Sequence, residues 1–124
     1  MGMTQTVTAR VEFSFTDEDI EMHIFGSGFE QYDWWWRFQN TDNGYVVKAE
    51  DPNFPDEGVK TISKTITNDD IRRVMGEILE GKHQCAGTAK WQIQNGIGTG
   101  DFDIDADGAD LIMQIATYGK VIFG

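Results

Sequence analysis

Cysteine occurs once in the chain, at Cys85, so no internal disulfide can close and the fold does not depend on oxidation. Proline occurs twice, at Pro52 and Pro55, and both fall in one loop, Asp51 to Gly58. Histidine is equally scarce: His23 and His83 are too few for a histidine-rich metal centre. Cations are outnumbered, with 10 Lys and Arg against 21 Asp and Glu, so the net charge is 10 − 21 = −11. That shortage argues against unassisted binding to DNA, RNA or anionic lipid, because neutralising phosphates needs clustered Lys and Arg. No run approaches the ~18 apolar residues of a membrane span. The N-terminus also lacks the basic-then-apolar pattern of a signal peptide. These absences point to a cytoplasmic location and no membrane partner.

What is present makes a core. Hydrophobic residues are 40% of the 124 and aromatics 12%, which excludes a disordered acidic tail. The length suits one domain over residues 3–124, with Met1-Gly2 an appended pair ahead of a natural start at Met3. An acidic surface on such a core suits solubility, a basic protein partner or imitation of a nucleic acid.

Periodicity sets the expected elements. Thr6 to Phe15 alternates apolar and polar residues as a half-buried strand does. Thr16 followed by Asp17-Glu18-Asp19 caps a short helix carrying Ile20 and Ile24, which stops at Gly26-Ser27-Gly28. Tyr32 to Gln39 and Tyr45 to Glu50 read as a hairpin around Asn43-Gly44. With that two-residue loop, Phe38 opposes Ala49 and Arg37 opposes Glu50. Trp34 and Trp36 then face the core, while Trp35 lies with Arg37 and Glu50 on the polar side. Val59 to Ile66 is a further strand. Thr67 caps a helix in which Ile71, Val74, Met75, Ile78 and Leu79 recur at helical spacing, with Gly81 as its stop. Residues 84–100 carry no clear period, and their glycines, Gly96 to Gly100, read as turns. The last helix runs from about Ala106 to Tyr118 and is apolar around most of its circumference. The expected fold is α+β: an antiparallel sheet of about four to five strands with two to three helices packed on one face.

Several constellations carry possible chemistry. Asp103-x-Asp105-x-Asp107-Gly108 matches the first half of a calcium loop, where carboxylates alternate and glycine permits the turn. Counted from Asp103, however, the twelfth position is Gln114, which cannot supply the bidentate carboxylate. Helix capping by Asp105 and dipole pairing by Asp107 and Asp110 account for the same residues. His83-x-Cys85 offers two zinc ligands with no matching pair, and no group orients His83 to activate the thiol. Polar surface and buried-thiol roles suit them better. Neither glycine-rich segment has phosphate-loop spacing. No catalytic signature emerges and no cofactor is implied. Trp35, Arg37 and Glu50 remain the candidate binding residues, since tryptophan and arginine are favoured anchors at interfaces.

The C-terminal pattern Asp103-x-Asp105-x-x-x-Ala109-Asp110-x-Ile112-x-Gln114-x-Ala116-x-x-Gly119-x-Val121-x-x-Gly124 resembles a group of small proteins from phages of actinobacteria. The resemblance covers about the last quarter and, more weakly, Thr65 to Gly81. It implies an origin and a site of action, the cytoplasm of an infected bacterium, and no mechanism. In that setting a non-enzymatic accessory protein would bind and modulate a host or phage protein through its acidic surface, a DNA mimic being the sharper version. A nucleotide-signal binder is the alternative, drawing its cations from Arg37, Arg72, Arg73, Lys82 and Lys90. A calcium-binding protein using residues 101–110 is a second alternative. The oligomer is a monomer, or a homodimer if Val121 to Phe123 joins another copy's sheet edge.

Overall fold

The structure, a computed structural model, describes residues 12–42, 44–52 and 60–124. Most of the Thr6–Phe15 segment lies outside them, as do Asn43 and residues 53–59. The fold is α+β. Three antiparallel strands, β1 (Trp35–Thr41), β2 (Gly44–Glu50) and β3 (Thr61–Ile66), lie in the order β1-β2-β3. The sheet therefore has three strands among the described residues, against the expected four to five. Glu12 to Phe15 is irregular, and Phe15 packs edge-on against Phe102 with ring centroids 5.0 Å apart.

The first capping box forms as the sequence predicts. Thr16 and Asp19 exchange side-chain and backbone bonds around the single turn of α1 (Asp17–Asp19). The chain continues through a π-turn, Ile20–Ile24, that buries both isoleucines. Gly28 then takes a left-handed conformation, φ 87°, and reverses the chain ahead of the buried Phe29.

Helix α2 (Asn68–Leu79) starts on a second capping box, Thr67 with Asp70, and buries Ile71, Val74, Met75 and Ile78. Helix α4 (Ala106–Tyr118) starts where Asp105 accepts a bond from the Gly108 N–H, and it is buried along nearly all of its length. It packs against α2 and α3 and reaches β3. There Lys64 donates to the Ala116 carbonyl at 2.9 Å, placing a cation at the negative end of the helix dipole.

The glycine-rich Gly96 to Gly100 is not a turn segment: Gly87–Thr99 forms α3, and Gly100 is left-handed at its end. Gly96 of α3 and Gly108 of α4 answer to packing. A Cβ on Gly96 would meet the Phe102 ring at 2.2 Å, and one on Gly108 of α4 would meet Gln92 Oε1 at 2.0 Å. Close helix contact outweighs poor intrinsic helix propensity.

On the sheet, Tyr45, Val47 and Ala49 turn inward from β2 and meet Trp35 and Ile66 in the core. The tail after α4 is not a strand. Gln114 Oε1 accepts the N–H groups of Ile122 (2.9 Å) and Phe123 (2.8 Å), while its Nε2 donates to the Phe123 carbonyl at 2.9 Å. No helix among the described residues is long and apolar enough to cross a membrane.

Candidate functional site

The tryptophan run departs most from its sequence reading. The hairpin ladder closes on the pair Thr41 and Gly44, so Gly44 belongs to β2 rather than to the loop. The register is Phe38 with Val47 and Arg37 with Lys48. A bulge between Trp35 and Arg37 leaves Trp36 as an extra residue and reverses the expected phase. Trp35 is buried at 6% exposure, and Trp36 is 53% exposed. The anticipated trio is thus not brought together. Trp35 points into the core and Arg37 lies on the solvent side beside Lys48. Glu50 pairs with Thr61 and bonds through its backbone to the Trp34 carbonyl (2.9 Å) and the Tyr118 hydroxyl (2.6 Å).

The buried indole has a partner that the sequence did not suggest. Trp35 Nε1 donates to Asp110 Oδ1 at 2.7 Å, and Trp34 Nε1 donates to the same oxygen at 2.6 Å. Gln114 Nε2 donates to Asp110 Oδ2 at 2.7 Å. Burial pushes the Asp110 carboxyl above its ordinary range, opposed by these three donors. Trp34 is itself sandwiched, 4.8 Å from Tyr32 and 5.1 Å from Phe123, with planes within 10°. This network is largely buried and ties the hairpin, α4 and the tail together. It is structural.

Two of the three calcium-loop aspartates have other partners. Asp105 is the helix cap, held below the usual carboxylate range by the Gly108 N–H and the Gln92 side chain. Asp107 accepts the Tyr32 hydroxyl, which pushes that phenol up to about 12. Asp103 is exposed. Among the described residues no group of three or more His, Cys, Asp or Glu is arranged to hold a metal ion. His83 bonds Glu77 at 2.9 Å, and Cys85 is exposed rather than buried.

An open cleft of about 610 Å³ is the better candidate. Its walls come from four separated segments: Asp17 and Glu21, Asn40 to Asp42, Gly44 and Tyr45, and Thr67 to Asp69 with Arg72. Two helix starts converge here, and each brings an acidic first turn that suits its own dipole. Arg72 bridges them. Its Nη1 meets Asp17 Oδ1 at 2.8 Å and the Phe15 carbonyl at 3.1 Å, while Nη2 meets Asp69 Oδ1 at 2.7 Å. That pairing holds Asp17 below the usual range, with Asn68 assisting, and raises Arg72 through Asp69 and Asp17.

Glu21 accepts the Tyr45 hydroxyl, and burial followed by that bond raises the phenol. Asp42 has no ionic partner among the described residues. Counting Asp17, Glu21, Asp42 and Asp69 against Arg72, the lining charge is 1 − 4 = −3. The cleft therefore presents acceptors in excess and suits a guest rich in N–H donors and positive charge. Sequence reasoning saw these residues singly, as helix caps, hairpin positions and, for Arg72, one of several available cations, because no single stretch contains the cleft. No protein-family model, curated protein or solved structure matches the chain, so its chemistry has to be read from these side chains themselves.

Proposed function

We propose that the chain is a non-enzymatic binding protein that engages a basic protein partner through its acidic surface, with the cleft taking an arginine or lysine side chain. The observation that carries this reading is the cleft itself, whose lining holds four carboxylates and a single cation, Arg72. Arg72 illustrates the fit, since two carboxylates and a carbonyl already hold a guanidinium there. A basic face that normally grips phosphates would meet a comparable array of negative oxygens. Imitation of a nucleic acid is the sharper form of the same reading. The setting we infer is the cytoplasm of a phage-infected bacterium, where such a protein would modulate a host or phage protein.

The test uses Glu21→Gln with Asp42→Asn, which removes two lining charges and leaves the Arg72 bridge intact. A basic partner captured from host cells by the tagged full chain should be lost in the double variant at an unchanged melting temperature. Equal capture by both forms would refute the cleft as the contact.

A further inference from the structure

On the solvent side of the sheet the charge balance reverses. Arg37 of β1 lies directly opposite Lys48 of β2, and both side chains are exposed. Neither has an ionic partner among the described residues. Beside them stands Trp36, the bulged residue, 53% exposed. The exposed Gln39 of β1 and the exposed Ser63 and Thr65 of β3 surround this group, and Glu50 ends the β2 row.

Like charges directly opposite each other in a ladder destabilise it. In a chain with 21 acidic residues against 10 basic ones, a carboxylate opposite either cation would be the easily available relief. A cation pair that no carboxylate among the described residues relieves, beside an exposed indole, is therefore a cost to folding that an anionic partner would remove. Tryptophan and arginine are also the residues that most often anchor protein interfaces. An open sheet face lacks the concavity that small ligands need. A nucleic acid strand would need a run of phosphate contacts, and this group offers two cations, Arg37 and Lys48.

We propose that this face docks an acidic polypeptide segment, with Trp36 packing on its apolar stems and Arg37 and Lys48 pairing its carboxylates. The surface is separate from the acidic cleft and opposite in sign, so the molecule would bridge a basic and an acidic partner. Fluorescein-labelled oligoglutamate is the probe, titrated with the full chain at low salt and followed by anisotropy. The signal should rise with protein and fall with added salt. Affinity should drop on the order of tenfold in Trp36→Ala and further in Arg37→Glu with Lys48→Glu. The Glu21→Gln, Asp42→Asn form should bind the probe unchanged, which separates this face from the cleft.

All the substituted positions are exposed, and Lys48→Gln serves if the double reversal fails to fold. Absence of oligoglutamate binding, or binding indifferent to these variants, would overturn the proposal. So would preferential binding of oligothymidylate, which would make the face a nucleic-acid platform. Self-association abolished by Arg37→Glu would equally overturn it by making the occupant a second copy.

Discussion

Gln114 and Asp110, one turn apart on α4, are locked in a single relative orientation. Gln114 Oε1 is taken by two backbone N–H groups of the tail, so its Nε2 must face Asp110 Oδ2. With Oδ1 receiving both indoles, Asp110 has to accept at both oxygens. Asp110→Asn is therefore not a mild change, because its amide would set donor against donor. Urea denaturation should show a loss of about 1–3 kcal/mol, with shifted indole N–H resonances for Trp34 and Trp35. An unchanged midpoint would show that the network can invert.

The tail depends on the same amide. Removing Val121 to Gly124 takes away three hydrogen bonds and the Phe123 stack on Trp34. Gln114→Ala removes the clasp from the other side and should cost about 1–3 kcal/mol. Because the two changes break one network, combining them should cost less than their sum. Strict additivity in melting experiments would mean that the tail is held by something else.

Three glycines should separate by sign. Gly96→Ala and Gly108→Ala drive a methyl into Phe102 and Gln92 respectively, and each should destabilise by about 1–3 kcal/mol. Gly98 has nothing within 4 Å of a built Cβ and lies in the same helix as Gly96. There alanine should stabilise by about 0.5–1 kcal/mol through backbone entropy. Thermal melts of the three variants decide it.

Acid should act in two opposite directions. Asp70 is held below its ordinary range by the Thr67 backbone N–H first, with the Thr67 hydroxyl and Arg73 assisting. Asp105 is held down by Gly108, and Glu77 by His83 and then Arg73. A depressed folded pKa contributes stability that is full above the unfolded value, and that stability is lost as pH falls through the folded one. The acid limb should therefore lie below about pH 4, and Asp70→Asn and Asp105→Asn should each flatten it. Asp110 has the reverse sign. Its raised pKa means that the penalty for its buried charge is relieved as pH falls through that value, above those of Asp70 and Asp105. Melting temperature followed against pH in Asp110→Asn should lack this relief.

How much of this was legible differs element by element. Helices α2 and α4 were readable because Thr67, Asp105 and the apolar spacing of Ile71 to Ile78 all speak locally. Helix α3 was not readable, since Gly87, Gly96 and Gly98 argue against a helix, and only Gly96 has a packing reason, the Phe102 ring that lies outside the helix. The hairpin was visible but its phase was not. A bulge at Trp36 adds one residue, and with period two that turns Trp35 inward and leaves Trp36 on the solvent side. The cleft drew on four distant segments, so its residues could be noticed singly, as caps and turns, but not as neighbours.

The three adjacent indoles end in three different surroundings: Trp34 between two rings, Trp35 in the core and Trp36 in water. The chain thus carries its own spectroscopic reporters. A form retaining only Trp34 would emit according to whether Phe123 covers it, one retaining only Trp35 would follow the integrity of the interior, and one retaining only Trp36 would follow arrivals at the sheet face. Local opening of the tail, global unfolding and partner engagement would then be separable by colour from three residues in a row.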